Sequence, residues 1–89
     1  METHVLLAKL TPEGRKTVQN HPERVTKVNQ EVSAMGARIV GQWAVLGPYD
    51  FVSIVEAPDN ETIAQVSLAL SGRGTVEFLT MPAFSLPDR

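Results

Sequence analysis

A pair of adjacent strand-like segments, with a helical pattern on either side, is the feature that most restricts how this chain can fold. Residues 37–46 and 51–57 are rich in branched and aromatic side chains, and only the turn Gly47-Pro48-Tyr49-Asp50 separates them. One helical pattern precedes this hairpin and another follows it, and a further strand-like segment lies near each end of the chain. The outer strands must therefore reach the central hairpin through helical connections.

This order predicts an α+β, ferredoxin-like fold, β-α-β-β-α-β, with a four-stranded antiparallel sheet and two helices on one face. Thr11 as N-cap and Pro12 at the first helical position begin the first helical region. Pro22 interrupts it and Gly36 ends it. The predicted strands cover residues 3–10, 37–46, 51–57 and 75–84, and the predicted helices cover 12–19, 22–35 and the stretch from the N-cap Asp59 to about residue 71.

Some positions carry further structural information. Gly41 lies inside a strand pattern, which predicts a β-bulge or a close approach by another backbone. Pro82 cannot donate a ladder hydrogen bond, so its strand is expected at an edge of the sheet or at a bulge. Ile63, Val66 and Leu70 recur at helical spacing and are the predicted buried stripe of the last helix.

The strands are apolar on both sides, although two helices can cover only one side of the sheet. A singly covered antiparallel sheet normally alternates apolar and polar residues. Here strict alternation gives two apolar faces in each of three strands. In the first strand, Val5 and Leu7 lie opposite Leu6 and Leu10; in the third, Phe51 and Val55 lie opposite Val52 and Ile54. In the second strand, one face carries Ile39, Trp43 and Val45, and the other carries Val40, Ala44 and Leu46. A second copy of the sheet is the expected cover, so the sequence predicts a homodimer or higher oligomer that can close as a barrel. The alternative is a monomer that covers this face with its own tail.

Composition excludes several classes of protein. The 89 residues fit one domain, 1–89, with a net charge of −2 and no cysteine. Its lysines and arginines are scattered, which argues against a nucleic-acid partner. No apolar run approaches the ~20 residues of a membrane helix, and the start of the chain does not resemble a signal peptide. We therefore expect a cytoplasmic protein with no membrane partner.

Four stretches resemble the GYD domain family, which is named for a Gly-Tyr-Asp motif and assigned to the dimeric α/β-barrel superfamily. They are HVLLAKLTPEG, HPERV, GARIVGQWAVLGPYDFVSIVEAPDNET and FLTMPAF. The resemblance spans nearly the whole chain and implies a ferredoxin-like dimer, but it implies no particular activity. A similar Gly-x-Tyr-Asp turn occurs in the effector-binding domains of the feast/famine regulators, whose DNA-binding helix-turn-helix this chain lacks.

The candidate motif or ligand-binding residues are Gly47, Tyr49, Asp50, Trp43 and His4. Tyr49 and Asp50 either stabilise the hairpin and the subunit contact or line the opening of a ligand-binding pocket. Trp43 is expected in the core or an interface, and its indole could also stack on a flat ligand. His4 is expected to face the helices beside Leu6, as a structural group or as a base.

No residue pattern identifies a catalytic group, and no cofactor is expected. His4 and His21 lack the spacing of metal ligands, so no metal site is predicted. The segment SGRG follows a helix and is too short for a phosphate loop, and Arg73 within it is expected to be a solvated loop residue. Three classes remain open: a homo-oligomeric assembly or binding module for a small apolar or aromatic molecule, a small cofactor-independent enzyme of the monooxygenase or isomerase kind, and a purely structural oligomer.

Overall fold

The structure, a computed structural model, describes residues 2–86. The elements follow the predicted order, with the first helical region divided into two helices. They are β1 (Glu2–Leu10), α1 (Pro12–Asn20), α2 (Arg24–Ala34), β2 (Arg38–Ala44), β3 (Phe51–Ala57), α3 (Asn60–Ser71) and β4 (Val76–Ala83). None of the described helices is long and apolar enough to cross a membrane.

The helix boundaries are set by the predicted caps. The side chain of Thr11 accepts a hydrogen bond from the Gly14 amide at 3.1 Å, and that of Asp59 accepts one from the Thr62 amide at 2.8 Å. Gly36 ends α2 with a φ of 96°, which allows the Ala37 amide to reach back to the Val32 carbonyl. Each helix therefore begins or ends where a local hydrogen bond satisfies its free backbone groups.

The four strands form one antiparallel sheet in the order β2-β3-β1-β4. This arrangement confirms the predicted α+β, ferredoxin-like fold. β2 and β4 are the edge strands, so Pro82 lies on an edge as predicted. The helices lie over one face, above a buried cluster that includes Leu6, Val55 and Val66.

A register shift in β2 corrects one part of the sequence interpretation. The pairing of Ile39 with Val55 is followed by that of Gly41 with Ile54, so Val40 is the extra residue of a bulge. Ile39 therefore packs against the helix-covered core, whereas Trp43 faces the other side. The prediction that both share a face was wrong because strict alternation cannot pass through a bulge.

The two halves of the helical layer pack differently. α3 buries the predicted stripe of Ile63, Val66 and Leu70. By contrast, α2 buries Val32 as its only fully buried residue, and α1 buries only Gly14. The layer is therefore tightly packed over one half of the sheet and loosely packed over the other.

Candidate functional site

The sheet face opposite the helices carries an exposed apolar surface, which we term the open face. The cross-strand register places its residues in two rows: Trp43, Val52, Leu7 and Leu79, and then Gly41, Ile54, Val5 and Met81. Trp43 is 55% exposed and Leu79 46% exposed in the single chain. The open face is thus an apolar surface that runs across all four strands.

Polar residues border the two apolar rows. On one side, Arg38 on β2 forms a 2.8 Å ion pair with Glu56 on β3. On the other side, Lys9 on β1 is paired in register with Glu77 on β4. An apolar centre with a polar rim is the usual composition of a protein–protein interface.

Trp43 is held flat on the open face by the glycine two residues before it. A Cβ on Gly41 would lie 2.7 Å from the far edge of the indole ring, so only glycine leaves room for the ring in this position. Gly41 therefore both marks the bulge region and provides the flat surface on which the indole rests.

The Gly47-Pro48-Tyr49-Asp50 turn lies at one end of the sheet. Gly47 has a φ of 117°, a conformation that side-chain-bearing residues rarely adopt. Tyr49 is half-buried and lines a shallow cavity of about 200 Å³ with Lys9, Glu77 and Leu79. The Tyr49 side chain therefore lies at the rim of the open face.

Asp50 is joined to β1 through both its backbone and its side chain. Its amide donates to the Ala8 carbonyl, and its Oδ2 accepts a hydrogen bond from the Leu10 amide, each at 2.8 Å. The carboxylate thus satisfies a backbone donor at the end of β1 and fixes the start of β3 beside it.

His4 is fully buried at the opposite end of β1 and faces the helices, as its position in the alternation predicted. Its Nε2 lies 2.9 Å from Oδ1 of Asn60, the first residue of α3. Its Nδ1 has no hydrogen-bond partner within residues 2–86. His4 therefore connects the sheet to the start of α3.

The sequence-predicted residues do not meet in one pocket. The carboxylate of Asp50 bonds to Leu10, six residues along β1 from His4, which corresponds to ~20 Å in a strand. Trp43 lies on the other side of the sheet from His4. A common pocket with both His4 and Asp50 pointing into it would favour the enzyme hypothesis, and these two side chains lie at opposite ends of β1 instead.

A second feature, not found from the sequence, lies between the helices and the sheet. A cavity of about 120 Å³ extends from α1 and α2 down to the covered face of the sheet, and we term it the interlayer cavity. Its apolar walls include Val28, Phe51 and Phe78. None of the five predicted residues lines it.

The interlayer cavity has one polar cluster. Asn29 and Gln42 exchange two amide hydrogen bonds of 2.9 and 3.3 Å, and Gln42 also donates to Oγ of Ser53 at 3.1 Å. Gln42 faces the helices only because the bulge shifts the phase of β2. The sequence contains no signal that these residues meet, since the contacts span 11 and 13 positions and depend on that bulge.

Two further sequence-predicted residues have defined surroundings. Arg73 is not a free loop cation, because its guanidinium forms a bidentate pair with Glu31, with N–O distances of 2.9 and 2.5 Å. His21 caps the C-terminus of α1 and lies 3.3 Å from the Glu23 carboxylate at an exposed position. In the part of the chain that the structure describes, no group of three His, Asp or Glu side chains is arranged to hold a metal ion.

The fold defines an α+β protein of the ferredoxin-like class, and the described residues leave one apolar face of its sheet exposed. The family model named GYD domain matches residues 4–88. The chain therefore belongs to the GYD domain family, and the resemblance seen in the sequence is confirmed.

The chain also resembles a curated relative along its length and two solved structures in fold. The chain is 46% identical to the glutamine synthetase and cystathionine beta-lyase binding protein of Thermus thermophilus, over 99% of this chain and 94% of that protein. It resembles the crystal structure of TTHA0845 from Thermus thermophilus, with a TM-score of 0.62 and 24% identity over the full length of both chains. It also resembles FFRP-DM1, with a TM-score of 0.61 and 20% identity over 94% of this chain and all of the other. These two structural likenesses concern the fold alone.

Proposed function

We propose that this chain is a homodimeric assembly module that binds metabolic enzymes as protein partners. The main support for the dimer is the open face, where two rows of apolar side chains cross all four strands and no layer formed by residues 2–86 covers them. The name of the Thermus thermophilus relative supports the enzyme partners, because that protein is 46% identical over nearly the whole chain. Glutamine synthetase and cystathionine β-lyase are therefore the partners to test first.

Packing energetics favour a second copy as the cover of the open face. Apolar surface contributes ~25 cal/mol for each Å² removed from water, and two identical sheets bury equal and self-complementary surfaces. The polar rim of Arg38–Glu56 and Lys9–Glu77 remains able to contact solvent around such an interface. The alternative cover was the chain's own tail, yet Phe84 and Leu86 in that tail are 91% and 83% exposed. Residues 87–89 lie outside the described residues.

Light scattering coupled to size-exclusion chromatography tests the dimer. The expected mass at micromolar concentration is twice the 9.7 kDa of one chain. Trp43→Glu and Leu79→Glu place a charge on the open face and should shift the mass towards that of the monomer. Leu68→Glu is the matched control, because Leu68 is 72% exposed on α3, on the other side of the sheet.

A wild-type protein of 9.7 kDa at these concentrations would contradict the dimer. Dissociation by Leu68→Glu without dissociation by Trp43→Glu would place the interface on the helices instead.

Sedimentation velocity with purified glutamine synthetase and cystathionine β-lyase of the same organism tests the partners. We expect the chain to co-sediment with at least one enzyme at about 10 µM, a concentration that detects weak as well as tight complexes. A catalytically unrelated enzyme of similar size is the control. If the chain co-sediments with neither enzyme, the partner proposal is wrong, whatever the result of the dimer experiment.

A further inference from the structure

We infer that the interlayer cavity binds a small monocarboxylate with a branched or cyclic aliphatic body. This site lies between the helices and the covered face of the sheet, away from the open face, so it goes beyond the proposed assembly function. The inference depends on the shape of the cavity, its apolar walls and its single charged residue.

The cavity is a partly open gap between two layers that are normally packed closely together. Interiors are packed as densely as organic crystals, and gaps larger than a water molecule are few. α3 fills its half of the layer with three buried apolar side chains, whereas the half beneath α1 and α2 retains about 120 Å³. A cavity of ~150 Å³ is large enough to hold benzene, so this slightly smaller and partly open one suits an apolar group of about five or six non-hydrogen atoms, with a head group at its opening.

The walls select an apolar body. The helical side presents Val25, Val28 and Val32 from α2. The sheet side presents Leu6 and Val55 among other apolar residues. The amides of Asn29 and Gln42 are largely occupied by each other and by Ser53. They form a neutral polar patch and supply no charge to a ligand.

Arg24 selects an anionic head group. It is half-buried at the start of α2, and of the described residues that line the cavity it is the only charged one. Within residues 2–86, Arg24 forms no ion pair within 4.0 Å. Its charge also acts on Glu31 of the same helix, but the Glu31 carboxylate is bonded to Arg73. A guanidinium binds a carboxylate through two parallel hydrogen bonds, and the pair is stronger where water is partly excluded.

NMR titration with 4-methylpentanoate tests the site. Two probes of the same carbon skeleton, 4-methylpentan-1-ol and 4-methylpentylammonium, are the controls for charge. We expect the carboxylate to bind at least about tenfold more tightly than either control. Its largest amide shifts should fall on Val28, Asn29 and Ser53, with none at Trp43. Equal affinity for the alcohol or the ammonium ion, shifts confined to the open face, or no binding at about 10 mM would each overturn the proposal.

Variants test the two parts of the site. Arg24→Gln should lower the affinity for 4-methylpentanoate about tenfold, to that of the alcohol. Lys27→Gln is the matched control, because it removes one positive charge from the same helix at an exposed position that does not line the cavity, and it should change the affinity by less than about twofold. Val28→Phe should fill the cavity and abolish binding while the melting temperature is kept. If Val28→Phe does not fold, the Arg24→Gln variant alone tests the site. An affinity of Arg24→Gln for 4-methylpentanoate equal to that of the wild type would contradict the inference.

The outcome is separable from that of the dimer experiment. Trp43→Glu, which acts on the open face, should retain the affinity of the wild type for 4-methylpentanoate. Loss of binding in Trp43→Glu together with retained binding in Arg24→Gln would mean that the ligand occupies the subunit interface, and would overturn the interlayer site.

Discussion

Asp50 shows how a single residue of the GYD motif connects local and long-range structure. Its carbonyl accepts a hydrogen bond from the Val45 amide within the turn, and its side chain accepts one from Leu10 on β1. The side-chain bond joins residues that lie 40 positions apart. The geometry therefore gives Asp50 a structural role, while a ligand role for Tyr49 at the rim stays a prediction.

Removing the Asp50 carboxylate should leave the Leu10 amide without an acceptor. We expect Asp50→Ala to lower the free energy of unfolding by about 1–3 kcal/mol, the cost of an unsatisfied, partly buried donor. Asp50→Asn retains a side-chain oxygen for the same bond and should restore more than half of the loss. Chemical denaturation measures both variants, and equal stability of Asp50→Ala and the wild type would show that the bond contributes nothing.

At the scale of elements, Gly14 determines how closely α1 approaches the start of β4. A Cβ at this position would lie 1.9 Å from the carbonyl oxygen of Thr75, which real structures do not permit. The neighbouring Thr11 donates from its amide to Thr75 and from its hydroxyl to Gly74, so α1 cannot move away without breaking these bonds.

Gly14→Ala should therefore destabilise the protein, although alanine is the better helix former. We expect a loss of about 2 kcal/mol or more in the free energy of unfolding, as for other overpacked sites. Lys16→Ala, at an exposed position of the same helix, is the control and should change stability by less than about 0.5 kcal/mol. A Gly14→Ala variant as stable as the control would mean that α1 is free to shift.

The Glu31–Arg73 pair connects α2 to the turn after α3 and should make stability depend on pH. The hydrogen bonds from Arg73 are the main cause that holds the pKa of Glu31 below its ordinary value, and partial burial of the carboxylate opposes this effect. Because the folded-state pKa is lowered, the stabilisation is present above the unfolded-state pKa and is lost as pH falls through the folded-state pKa.

Glu31→Gln should accordingly lower the melting temperature by a small amount at pH 7 and by progressively less as pH falls below about 4. The effect is small because both side chains are partly exposed. Thermal melts of the two proteins between neutral and acidic pH measure it. A difference in melting temperature that grows towards acidic pH would contradict this assignment.

At the scale of the whole molecule, Trp43 is a reporter of what covers the open face. It is the only tryptophan, and in the single chain its indole is 55% exposed. If a second sheet packs on the open face, dilution from micromolar to nanomolar concentration should move its fluorescence emission to longer wavelengths as the indole becomes hydrated.

Gly41→Ala provides the matched comparison for this measurement. The added Cβ would displace the indole from its flat position, so the variant should dissociate at a higher concentration than the wild type. An emission maximum that is independent of concentration in both proteins, at the wavelength of a hydrated indole, would show that nothing covers Trp43.

The sequence predicted the local features well because they depend on residues close together in the chain. Thr11 and Asp59 cap their helices through bonds that span three positions, and Gly36 ends α2 by its own backbone conformation. Such signals can be read from neighbouring residues alone. The same holds for Gly41 as a sign of irregularity in β2.

The sequence by itself determined the order of the elements, their caps and the excess of apolar strand residues, since each depends on local hydrogen bonds or on side-chain chemistry. Only the tertiary structure decided the phase of β2 after its bulge, and with it the opposite directions of Ile39 and Trp43. It also decided that His4 meets Asn60 across 56 positions and that Gln42 meets Asn29 beside an unfilled cavity. These features depend on how separate elements dock, and docking is governed by packing between residues that are distant in sequence.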